Sequence, residues 1–553
     1  MNEPSVGLVT VVPVLIAFIL PILTLKFRSR FLYATITTAT TFFVAVLTLI
    51  NLIEVVRGNV LTYSFGGWPS PLGIVYVVDF LNGVLGFLAA TLFFFSSLYM
   101  YWYFSKIESG YEWLSTLTLI LLAGVLGCLY TGDLFNFFVM LEVLSISSYA
   151  LVAFFRRRKW AVEASAAYSF IGALATMLFF FGVIFIYASF GTVNIADLVV
   201  KTHQDPQLIS KYLESWSGRC VGEWCYGNVF ISSALAVALM LWALNFEAGL
   251  FPNNYWMPSA YTESPTPASA LFAGIVDKVG TYGVIRLFVT LFTAYGTVLA
   301  FPLWGIPFRD LILIILSFLG LVTGYLGALL MFPQKNVKRL LTYSTISHIG
   351  IIFASFGALV SRTPLSASAE ALSGILLHMI THAIGEFTLF IGLGTLSVVV
   401  GSTNLTKMQG LGSKYPLLTA SIVLSFLSLL GLMPLAGFFS KFIIFTALMN
   451  AGLLLHAISI ILISGISALS YFKVIYILVV NRSSKEEVKQ DRLLIPTLIL
   501  IVLAASLVVL GIMIIQGAII NELINYAENL LSIKGLSKYV NSVSELSKVL
   551  GGG

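Results

Sequence analysis

Long apolar stretches separated by short polar segments run along almost the whole chain, from Val6 to Ile520. Most have about 18 residues or more, enough for a helix to cross a hydrocarbon core about 30 Å thick. Because backbone groups in lipid must be satisfied within the protein, stretches of this length indicate helices rather than barrel strands. The predicted spans are residues 6–25, 31–56, 73–103, 112–131, 134–155, 164–190, 229–251, 266–298, 309–331, 337–360, 366–400, 416–450, 454–480 and 494–520. The pattern predicts an all-α, polytopic helical membrane protein with about 14 transmembrane helices.

Two of these spans contain residues that interrupt a helix. In the seventh span, Pro252 removes a backbone donor shortly after Glu247. The twelfth span, residues 416–450, is too long for one crossing and contains Gly431 and Pro434. We therefore expect helices 7 and 12 to be broken at membrane depth, a feature typical of ion sites in transporters.

The two breaks indicate a repeated plan. Glu247 lies at the first break, and Lys278 follows in the next span. Lys441 lies at the second break, and Lys473 follows it at almost the same spacing. We expect two related five-helix repeats, which divides the chain into N-terminal helices 1–3 (1–111), a first half with helices 4–8 (112–298), a second half with helices 9–13 (299–480), and the last helix with its tail (481–553).

Composition narrows the class of protein. Hydrophobic residues make up 59% of the chain and charged residues only 10%, which excludes an ordinary soluble protein. The net charge of +6 comes largely from basic residues in loops that follow odd-numbered spans, so we expect no nucleic-acid partner. By the positive-inside rule, both termini face the outside of the cell membrane. Apolar residues at helical spacing from Asn521 to Leu550 predict an amphipathic tail lying on the bilayer or on a neighbouring subunit.

Two of the three cysteines, Cys220 and Cys225, lie in the longest loop, residues 191–228. The predicted topology places this loop outside, where a disulfide can persist. A Cys220–Cys225 disulfide is therefore a candidate, and two unpaired thiols are the alternative. Cys128, in the fourth span, is interpreted as a small packing residue.

The candidate functional residues are the ionisable side chains within apolar stretches. Charge at bilayer depth costs several kcal/mol, from about 3 on insertion scales to more than about 10 in simulations, and such groups mark ion or proton pathways. The candidates for ion translocation are Glu142, Glu247, Lys278, His348, His378, His382, Glu386, Lys441 and Lys473. Asp133 can cap the fifth span, with Glu142 about 13 Å deeper. Glu142 is expected to need a cationic partner, and a purely structural pair with a neighbouring helix is the alternative.

His378, His382 and Glu386 are spaced by four residues and form one stripe on a helix. Histidines at this spacing can share a zinc ion, but no Cys and no glutamate of an HExxH motif lies near them. A proton wire of imidazoles and water is favoured, because histidine titrates near physiological pH. Buried, hydrogen-bonded packing histidines are the third interpretation. We expect no metal and no cofactor, because no haem, flavin, iron–sulfur or quinone motif is visible.

Five segments together carry a resemblance: Asp133–Glu142, Phe251–Val276 with its Trp-x-Pro and Pro-Thr-Pro elements, Lys338–Gly350, His378–Glu386 and Gly437–Lys441. The chain resembles the antiporter-like membrane subunits shared by Mrp-type cation/proton antiporters, respiratory complex I and the energy-converting membrane-bound hydrogenase and sulfane sulfur reductase complexes. The resemblance implies two half-channels joined by a central polar axis. It places Glu142 at the family's span-five glutamate, Lys278 at its span-eight lysine, and Lys441 at the charged residue of broken span twelve.

The chain departs from the family pattern at two positions. Glu247 stands where most relatives have the span-seven lysine, and Glu386 stands at the span-eleven lysine. The first departure would place two carboxylates, Glu142 and Glu247, where the family has a Glu–Lys pair. One hypothesis is that the first half is retuned and binds Na⁺ or K⁺ between these acids; another is that it is inactive. The second half, which retains Lys441, is expected to be the more intact.

The resemblance implies a proton- or sodium-translocating component of a multisubunit redox-driven membrane complex of the archaeal hydrogenase or sulfur reductase type. Its partners would be other membrane subunits, peripheral iron–sulfur redox subunits, H⁺ and/or Na⁺, and the lipid bilayer. The chain itself would not catalyse electron transfer. The alternatives are a subunit of a non-redox Mrp-type Na⁺/H⁺ antiporter, and a structural subunit with an inactive channel.

Overall fold

Helices cross the membrane along most of the chain. A computed structural model describes residues 3–23, 26–27, 29–203, 220–221, 224–225, 229–479, 493–517 and 519–550, with only the backbone described for 220–221, 224–225 and 544–550. Among these residues, 13 helices are long and apolar enough to cross a membrane, or 14 if the bent pair Leu405–Lys414 and Pro416–Leu430 is one span. The predicted all-α membrane fold is confirmed.

The helices up to the middle of the chain are α1 (Pro4–Leu23), α2 (Arg30–Val56), α3 (Phe80–Tyr103), α4 (Tyr111–Tyr130), α5 (Leu134–Val152), α6 (Lys159–Phe190), α7 (Ile195–Thr202), α8 (Val229–Ala248), α9 (Met257–Glu263) and α10 (Thr266–Leu291). Two π-helical segments, Phe272–Val276 and Arg286–Leu291, lie within α10. The predicted seventh span corresponds to α8 and the eighth to α10.

The remaining helices are α11 (Phe308–Met331), α12 (Val337–Leu359, whose last turn is 3₁₀), α13 (Leu365–Val400), α14 (Leu411–Lys414), α15 (Pro416–Leu430), α16 (Ala436–Asn450), α17 (Leu454–Val479), α18 (Leu494–Ile515), α19 (Ile520–Leu531) and α20 (Ile533–Leu550). The predicted ninth, tenth and eleventh spans correspond to α11, α12 and α13. The thirteenth and fourteenth correspond to α17 and α18.

The predicted third span, residues 73–103, is too long at its N-terminus. Strand β1 (Leu61–Ser64) pairs antiparallel with β2 (Val75–Val78), and α3 begins only after Asp79. The Asp79 side chain accepts a hydrogen bond from the backbone N–H of Asn82 and so caps the helix. The β2 residues are apolar because both faces of the strand are buried, and apolar content alone does not distinguish this strand from a helix.

Two further short hairpins lie in loops. Strands β3 (Cys220–Val221) and β4 (Trp224–Cys225) pair with Cys220 opposite Cys225. Strands β5 (Pro302–Leu303) and β6 (Ile306–Pro307) form the second hairpin. The predicted eighth span, residues 266–298, therefore ends earlier than expected, at Leu291.

Both expected helix breaks are present. The seventh span ends as a helix at Ala248, and the short helix α9 follows Pro252 before α10 begins. In the twelfth span, α15 ends at Leu430 and α16 begins at Ala436. Gly431 adopts a φ of 88° at this break, a conformation that favours glycine because it has no Cβ.

The most deeply buried spans, at the centre of the bundle, are those of α10 and α12, followed equally by those of α4 and α13. On one side of the centre, α11 and α12 approach so closely that a Cβ on Gly350 would overlap the backbone N and Cα of Gly324. Close crossings at small residues are typical of membrane helix pairs, because backbone atoms pack directly against each other. This contact fixes the position of α12 and of the histidine it carries.

The C-terminal tail folds back onto its own chain. The Tyr526 ring on α19 stacks on Phe80 at 3.8 Å between centroids, and its hydroxyl donates to the carbonyl of Val56 at 2.6 Å. Ser373 on α13 donates to the carbonyl of Leu523 at 3.0 Å. The tail thus contacts helices of its own chain, where α2 ends and α3 begins and on α13. Its contact with the bilayer or with a neighbouring subunit stays a prediction.

Candidate functional site

A hydrogen-bonded chain of polar side chains lies in the buried centre of the second half. Ser344 and His348 are one turn apart on α12, and Glu386 faces them from α13. Ser344 Oγ donates to Glu386 Oε1 at 2.5 Å and lies 2.7 Å from the hydroxyl of Tyr471 on α17. His348 Nε2 lies 3.1 Å from the same hydroxyl. Three helices thus contribute one continuous path.

The path continues through a second histidine. His348 Nδ1 lies 3.0 Å from Nε2 of His378, and His378 Nδ1 lies 2.9 Å from Oγ of Ser440. Ser440 is in the first turns of α16, immediately before Lys441. All of these side chains except Lys441 are at most 2% exposed, so water does not compete for their hydrogen bonds. Five hydrogen bonds therefore join Glu386 on α13 to Ser440 on α16.

The hydrogen-bond roles can be followed from the carboxylate end. With Ser344 donating to Glu386, its oxygen accepts from the Tyr471 hydroxyl, and that hydroxyl accepts from Nε2–H of His348. In the matching tautomers, His348 Nδ1 accepts from His378 Nε2–H, which leaves His378 Nδ1 as an acceptor facing Ser440. The Ser440 hydroxyl donates to the carbonyl of Gly437 at 3.0 Å, so it must rotate to donate to His378. After that rotation, a proton entering at α16 can be passed on by successive hops and leave at Glu386.

His382 lies beside this chain rather than within it. Its ring stacks on His348 at 4.8 Å between centroids, and its Nε2 lies 3.8 Å from Glu386 Oε1. Neither ring nitrogen makes a hydrogen bond within the described part of the chain, and His382 is fully buried. The predicted stripe of His378, His382 and Glu386 is present on α13, and its members connect through α12 and α17 rather than directly along the stripe.

Lys441 lies at the break between α15 and α16. Its ammonium donates to the carbonyl of Leu429 at 2.6 Å and to Oγ of Ser464 on α17 at 2.8 Å. Carbonyls in the last turn of a helix have no partner within the helix, so the end of α15 supplies an acceptor at this depth. The break therefore binds a cationic side chain beside the start of the histidine path.

Lys278 forms an ion pair with its own neighbour. Its Nζ lies 2.9 Å from Asp277 Oδ1, and it also donates to the carbonyl of Ala273 at 2.5 Å. That carbonyl belongs to the first π-helical segment, where the altered backbone hydrogen bonding leaves it available. Both charged side chains are at most 1% exposed. Asp277 is absent from the sequence-based candidates, although its position next to Lys278 in an apolar span was a usable signal.

Glu247 lies at the end of α8 and is 2% exposed. Its Oε1 makes no hydrogen bond, and no ion pair includes it within the described residues. It interacts electrostatically with Asp277 on α10, and with Tyr149 and Tyr261. The buried charge-bearing groups thus extend from α8 through α10 to Glu386, which interacts electrostatically with Lys278.

Two predicted site residues are not part of this buried cluster. Glu142 is half-buried on α5, and no ion pair is found for it in the described part of the chain, so the expected cationic partner is not seen there. It interacts electrostatically with Tyr149, two turns further along α5. Lys473 is half-buried on α17 and donates to the carbonyls of Phe332 and Gln334 at 2.7 and 3.0 Å, at the end of α11.

Sequence reasoning missed the residues that connect the predicted ones. Ser344, Tyr471 and Ser440 are uncharged and of common types, so residue type gave no signal. The position of Ser344, four residues before His348 and on the same helix face, was the one available indication. The candidate disulfide stays a prediction: the backbone of Cys220 lies opposite that of Cys225, and the two side chains lie outside the described residues.

Comparisons with known proteins identify the family. A sequence profile described as NADH:quinone oxidoreductase/Mrp antiporter, TM, matches residues 131–467. The chain belongs to this family. It is 31% identical over 411 residues to the D subunit of the Na⁺/H⁺ antiporter of Alkalihalophilus pseudofirmus, with 74% of each chain covered. It is 30% identical over 423 residues to the N subunit of the NADH-quinone oxidoreductase of Desulforudis audaxviator, with 76% of this chain and 75% of that protein covered.

Among solved structures, a chain of the membrane-bound sulfane sulfur reductase, an archaeal respiratory membrane complex, has the same fold. The TM-score is 0.82 at 26% identity, and the match covers 98% of this chain and 100% of that one. The protein is therefore a multi-pass, antiporter-like membrane subunit of the type found in Mrp antiporters and complex I-like assemblies. Other membrane subunits of such an assembly are its partners.

Proposed function

We propose that this chain is a proton- or sodium-translocating subunit of a multisubunit redox-driven membrane complex, of the archaeal hydrogenase or sulfur reductase type. The observation that carries the proposal is the row of five hydrogen bonds from Glu386 to Ser440. A buried row of hydroxyls and imidazoles can conduct protons, because each group can both donate and accept. Its length across four helices exceeds what a packing histidine needs.

In the proposed mechanism, Lys441 and Glu386 are the two ends of the path. A proton leaving the Lys441 ammonium enters at the adjacent Ser440, is passed through His378 and His348, and arrives at Glu386. The row must then reorient before the next proton, since each hop reverses the hydrogen bond that it uses. Movement of α16 relative to α15 at their break would couple this cycle to events elsewhere in the complex.

The redox assignment rests on likeness to the archaeal reductase, one chain of which matches this protein along nearly its full length. In this proposal, peripheral iron–sulfur subunits carry the electrons, and this chain carries ions only. Both termini face outside, because basic loops such as Arg156–Lys159 and Lys335–Arg339 lie at the opposite face. The basic loop 481–492 and the loop 204–219, used in the same topology prediction, lie outside the described residues.

A second candidate is a subunit of a non-redox Mrp-type Na⁺/H⁺ antiporter, favoured by the 31% identity to one component of a Na⁺/H⁺ antiporter. The two candidate functions differ in which other subunits assemble with the chain. Purification of the intact complex under mild detergent, followed by mass spectrometry and an iron assay, separates them: co-purifying iron–sulfur subunits support the redox complex, and their absence supports the antiporter.

The transport role is tested with Lys441→Ala in the whole complex, reconstituted in vesicles with a pH-sensitive dye. We expect proton translocation to fall about tenfold or more, the order of effect seen when a positioned proton-transfer group is removed. Lys407→Ala, at an exposed loop lysine, is the matched control and should transport normally. Unchanged transport by Lys441→Ala would support the remaining alternative, a structural subunit with an inactive channel.

A further inference from the structure

The loop between α10 and α11 ends in a hairpin made only of apolar residues. Its sequence from Phe301 to Phe308 is Phe-Pro-Leu-Trp-Gly-Ile-Pro-Phe, and no charged residue occurs between Arg286 and Arg309. Surface turns generally carry Asn, Asp, Ser, Gly or Pro at the tip. Trp304 at this tip is 85% exposed, more than any other large apolar residue in the described part of the chain. An apolar tip held out from the bundle indicates a contact outside the chain.

The backbone at the tip is unfavourable for tryptophan. Trp304 has a φ of 54° and is the only residue other than glycine with a positive φ among those described; Gly305 after it has a φ of 79°. Two consecutive positive φ angles match the type I′ turn, for which Asn-Gly is a preferred sequence because asparagine tolerates this conformation better than a bulky residue. The turn would therefore form more easily with asparagine in place of Trp304. The local fold does not explain the tryptophan, whereas a contact made by its ring does.

Aromatic packing holds the base of the hairpin in place. The rings of Phe301 and Phe308 stack at 5.1 Å between centroids, and Phe230 at the start of α8 packs edge-on against Phe301 at 6.2 Å. The N–H of Phe308 donates to the carbonyl of Phe301 at 3.0 Å. Because α11 begins at Phe308, the tip lies within about 13 Å of that residue, at about 3.3 Å for each of the residues between them. The Trp304 ring is thus presented close to the end of a membrane span.

The composition of the hairpin favours the bilayer over a neighbouring subunit as the contact. Pro302 pairs with Pro307 across the two strands, so neither position has an N–H to donate to an added strand. The missing N–H groups also lower the cost of placing this backbone in apolar surroundings, where unpaired donors are unfavourable. Protein interfaces generally have a polar rim, and the hairpin has no Ser, Thr, Asn, Gln or charged residue.

Other exposed tryptophans of the chain also lie at the ends of spans. Trp113 and Trp160 are 54% and 67% exposed and occur in the first turns of α4 and α6. Tryptophan is enriched at membrane–water interfaces, because its ring is apolar while its indole N–H can still reach a polar partner. Trp304 brings the same ring to the end of α11, on a hairpin instead of on the helix itself.

We propose that the β5–β6 hairpin is a membrane anchor, with the side chains of Trp304 and Leu303 inserted into the headgroup region of the bilayer beside α11. The proposal goes beyond the proposed function, since it concerns how this end of α11 is held in the membrane and requires no ion transport. Arg309, directly after the hairpin, donates to the carbonyls of Phe288 and Leu359 near the ends of α10 and α12. The anchor is thereby connected to the two most deeply buried spans.

The test places the photoreactive aromatic residue p-benzoylphenylalanine at the position of Trp304, in the whole complex in its native membrane. Illumination should link the hairpin to a lipid, and mass spectrometry of the hairpin peptide should detect the lipid adduct. The same probe at the position of Arg362, an exposed residue in the loop after α12, is the control. The bond from Arg309 to the Leu359 carbonyl shows that this loop lies at the same face of the bundle. The control should give a severalfold lower yield of lipid adduct.

Variants of Trp304 separate the effect of the ring from that of the turn, with the probe moved to the position of Leu303. Trp304→Phe keeps an apolar aromatic side chain and should keep the lipid adduct within about twofold of the wild-type yield. Trp304→Asn suits the type I′ turn, so the hairpin should stay folded while the adduct falls severalfold. Gel filtration and melting temperature should show an intact complex for both variants.

Cross-linking of the probe to another subunit would overturn the proposal and identify the hairpin as a subunit interface. Absence of a lipid adduct at the position of Trp304 would overturn it as well, since the tip would then face water. Equal adduct yields from Trp304→Phe and Trp304→Asn, or from the probe at the positions of Trp304 and Arg362, would show that the ring does not anchor the hairpin.

Discussion

The hydroxyl of Tyr471 is the connecting atom of the proton path. It lies 2.7 Å from Ser344 Oγ and 3.1 Å from His348 Nε2, so removing it interrupts the row at its centre while leaving the ring in place. We predict that Tyr471→Phe lowers proton translocation by about tenfold or more, with a stability cost of about 1–3 kcal/mol for the two partners left unpaired. Tyr476→Phe, at a 54% exposed tyrosine on the same helix, is the control.

The measurement is dye-monitored proton uptake into vesicles that contain the whole complex. A Tyr471→Phe complex that pumps as fast as the Tyr476→Phe complex would show that protons do not use the row. A loss of assembly in Tyr471→Phe, detected by gel filtration, would instead indicate that the hydroxyl serves mainly to stabilise the packing of α12 against α17.

Asp133 gives a prediction about pH and stability. It caps α5 by accepting from the backbone N–H of Asn136, and it lies outside the spans. Burial raises the pKa of Asp133 from 3.8 to about 6. Because the folded state holds this proton more tightly than the unfolded state, the stabilisation is fully present below about pH 4 and is lost as the pH rises through about 6.

Asp133→Asn keeps a capping side chain and removes the titration. We predict that the variant is more stable than the wild type at pH 7, by about 1–3 kcal/mol, with little difference near pH 4. The melting temperature of the purified complex, measured from pH 4 to pH 8, checks this. Parallel pH curves for the two proteins would contradict the burial of a protonated carboxyl at this position.

At single positions, the sequence identified charges well and their partners poorly. Glu247, Lys278 and Glu386 were evident because charge is rare in apolar stretches. Their partners were hidden for physical reasons: Ser344 and Tyr471 are ordinary helix residues until the fold brings three helices together. Which carboxylate pairs with which ammonium depends on side-chain direction, and sequence spacing does not determine it.

Among the helices, the contact between α11 and α12 determines where His348 lies. A Cβ on Gly350 would overlap backbone atoms of Gly324, which cannot be relieved by rotating a side chain. We predict that Gly350→Ala separates the two helices, destabilises the protein by about 1–3 kcal/mol or more, and lowers proton transport because His348 is two residues away on the same helix.

Gly465 on α17 provides the matched control, since a Cβ there meets no atom within 4 Å. Gly465→Ala should be neutral or slightly stabilising, by up to about 1 kcal/mol, because alanine favours the helix. Thermal unfolding of both complexes and transport in vesicles give the comparison. Equal behaviour of the two variants would mean that the close approach does not constrain α12.

Whole helices could be predicted where the length of an apolar stretch decides whether it spans the membrane. The number of helices and the break between α15 and α16 follow from stretches of apolar residues and from Gly and Pro within them. Strand β2 could not be distinguished from a helix, because a strand buried on both faces has no alternating pattern. The sequence does not indicate the π-helical segments of α10. A π-helix depends on which groups hydrogen-bond to the backbone carbonyls that it leaves free, and these contacts are known only from the fold.

On the scale of the whole molecule, the buried polar groups form one band through α8, α10, α13, α12 and α16. Glu247 is at the α8 end of this band and the proton path at the α16 end, with the Asp277–Lys278 pair between them. Glu386 interacts electrostatically with Lys278 and Asp277, and Glu247 interacts with Asp277. Asp277 is therefore an electrostatic neighbour of both Glu247 and the carboxyl end of the proton path.

Docking of the C-terminal tail can be tested separately from proton transport. Tyr526 stacks on Phe80 and donates to the Val56 carbonyl, so Tyr526→Ala should weaken tail docking by about 2 kcal/mol, roughly a 30-fold change in the docked equilibrium. Limited proteolysis of the intact complex should then cut the tail faster than in the wild type. Tyr187→Ala, at a 58% exposed tyrosine, should leave the cutting rate unchanged.

Proton transport should change less than about twofold in Tyr526→Ala. The tail contacts α13 at Ser373, which lies about 7.5 Å along the helix from His378, and no member of the proton path bonds to the tail among the described residues. If transport instead falls in proportion to tail release, the position of α13 depends on the tail, and the tail controls the path rather than only covering the end of α2 and the start of α3.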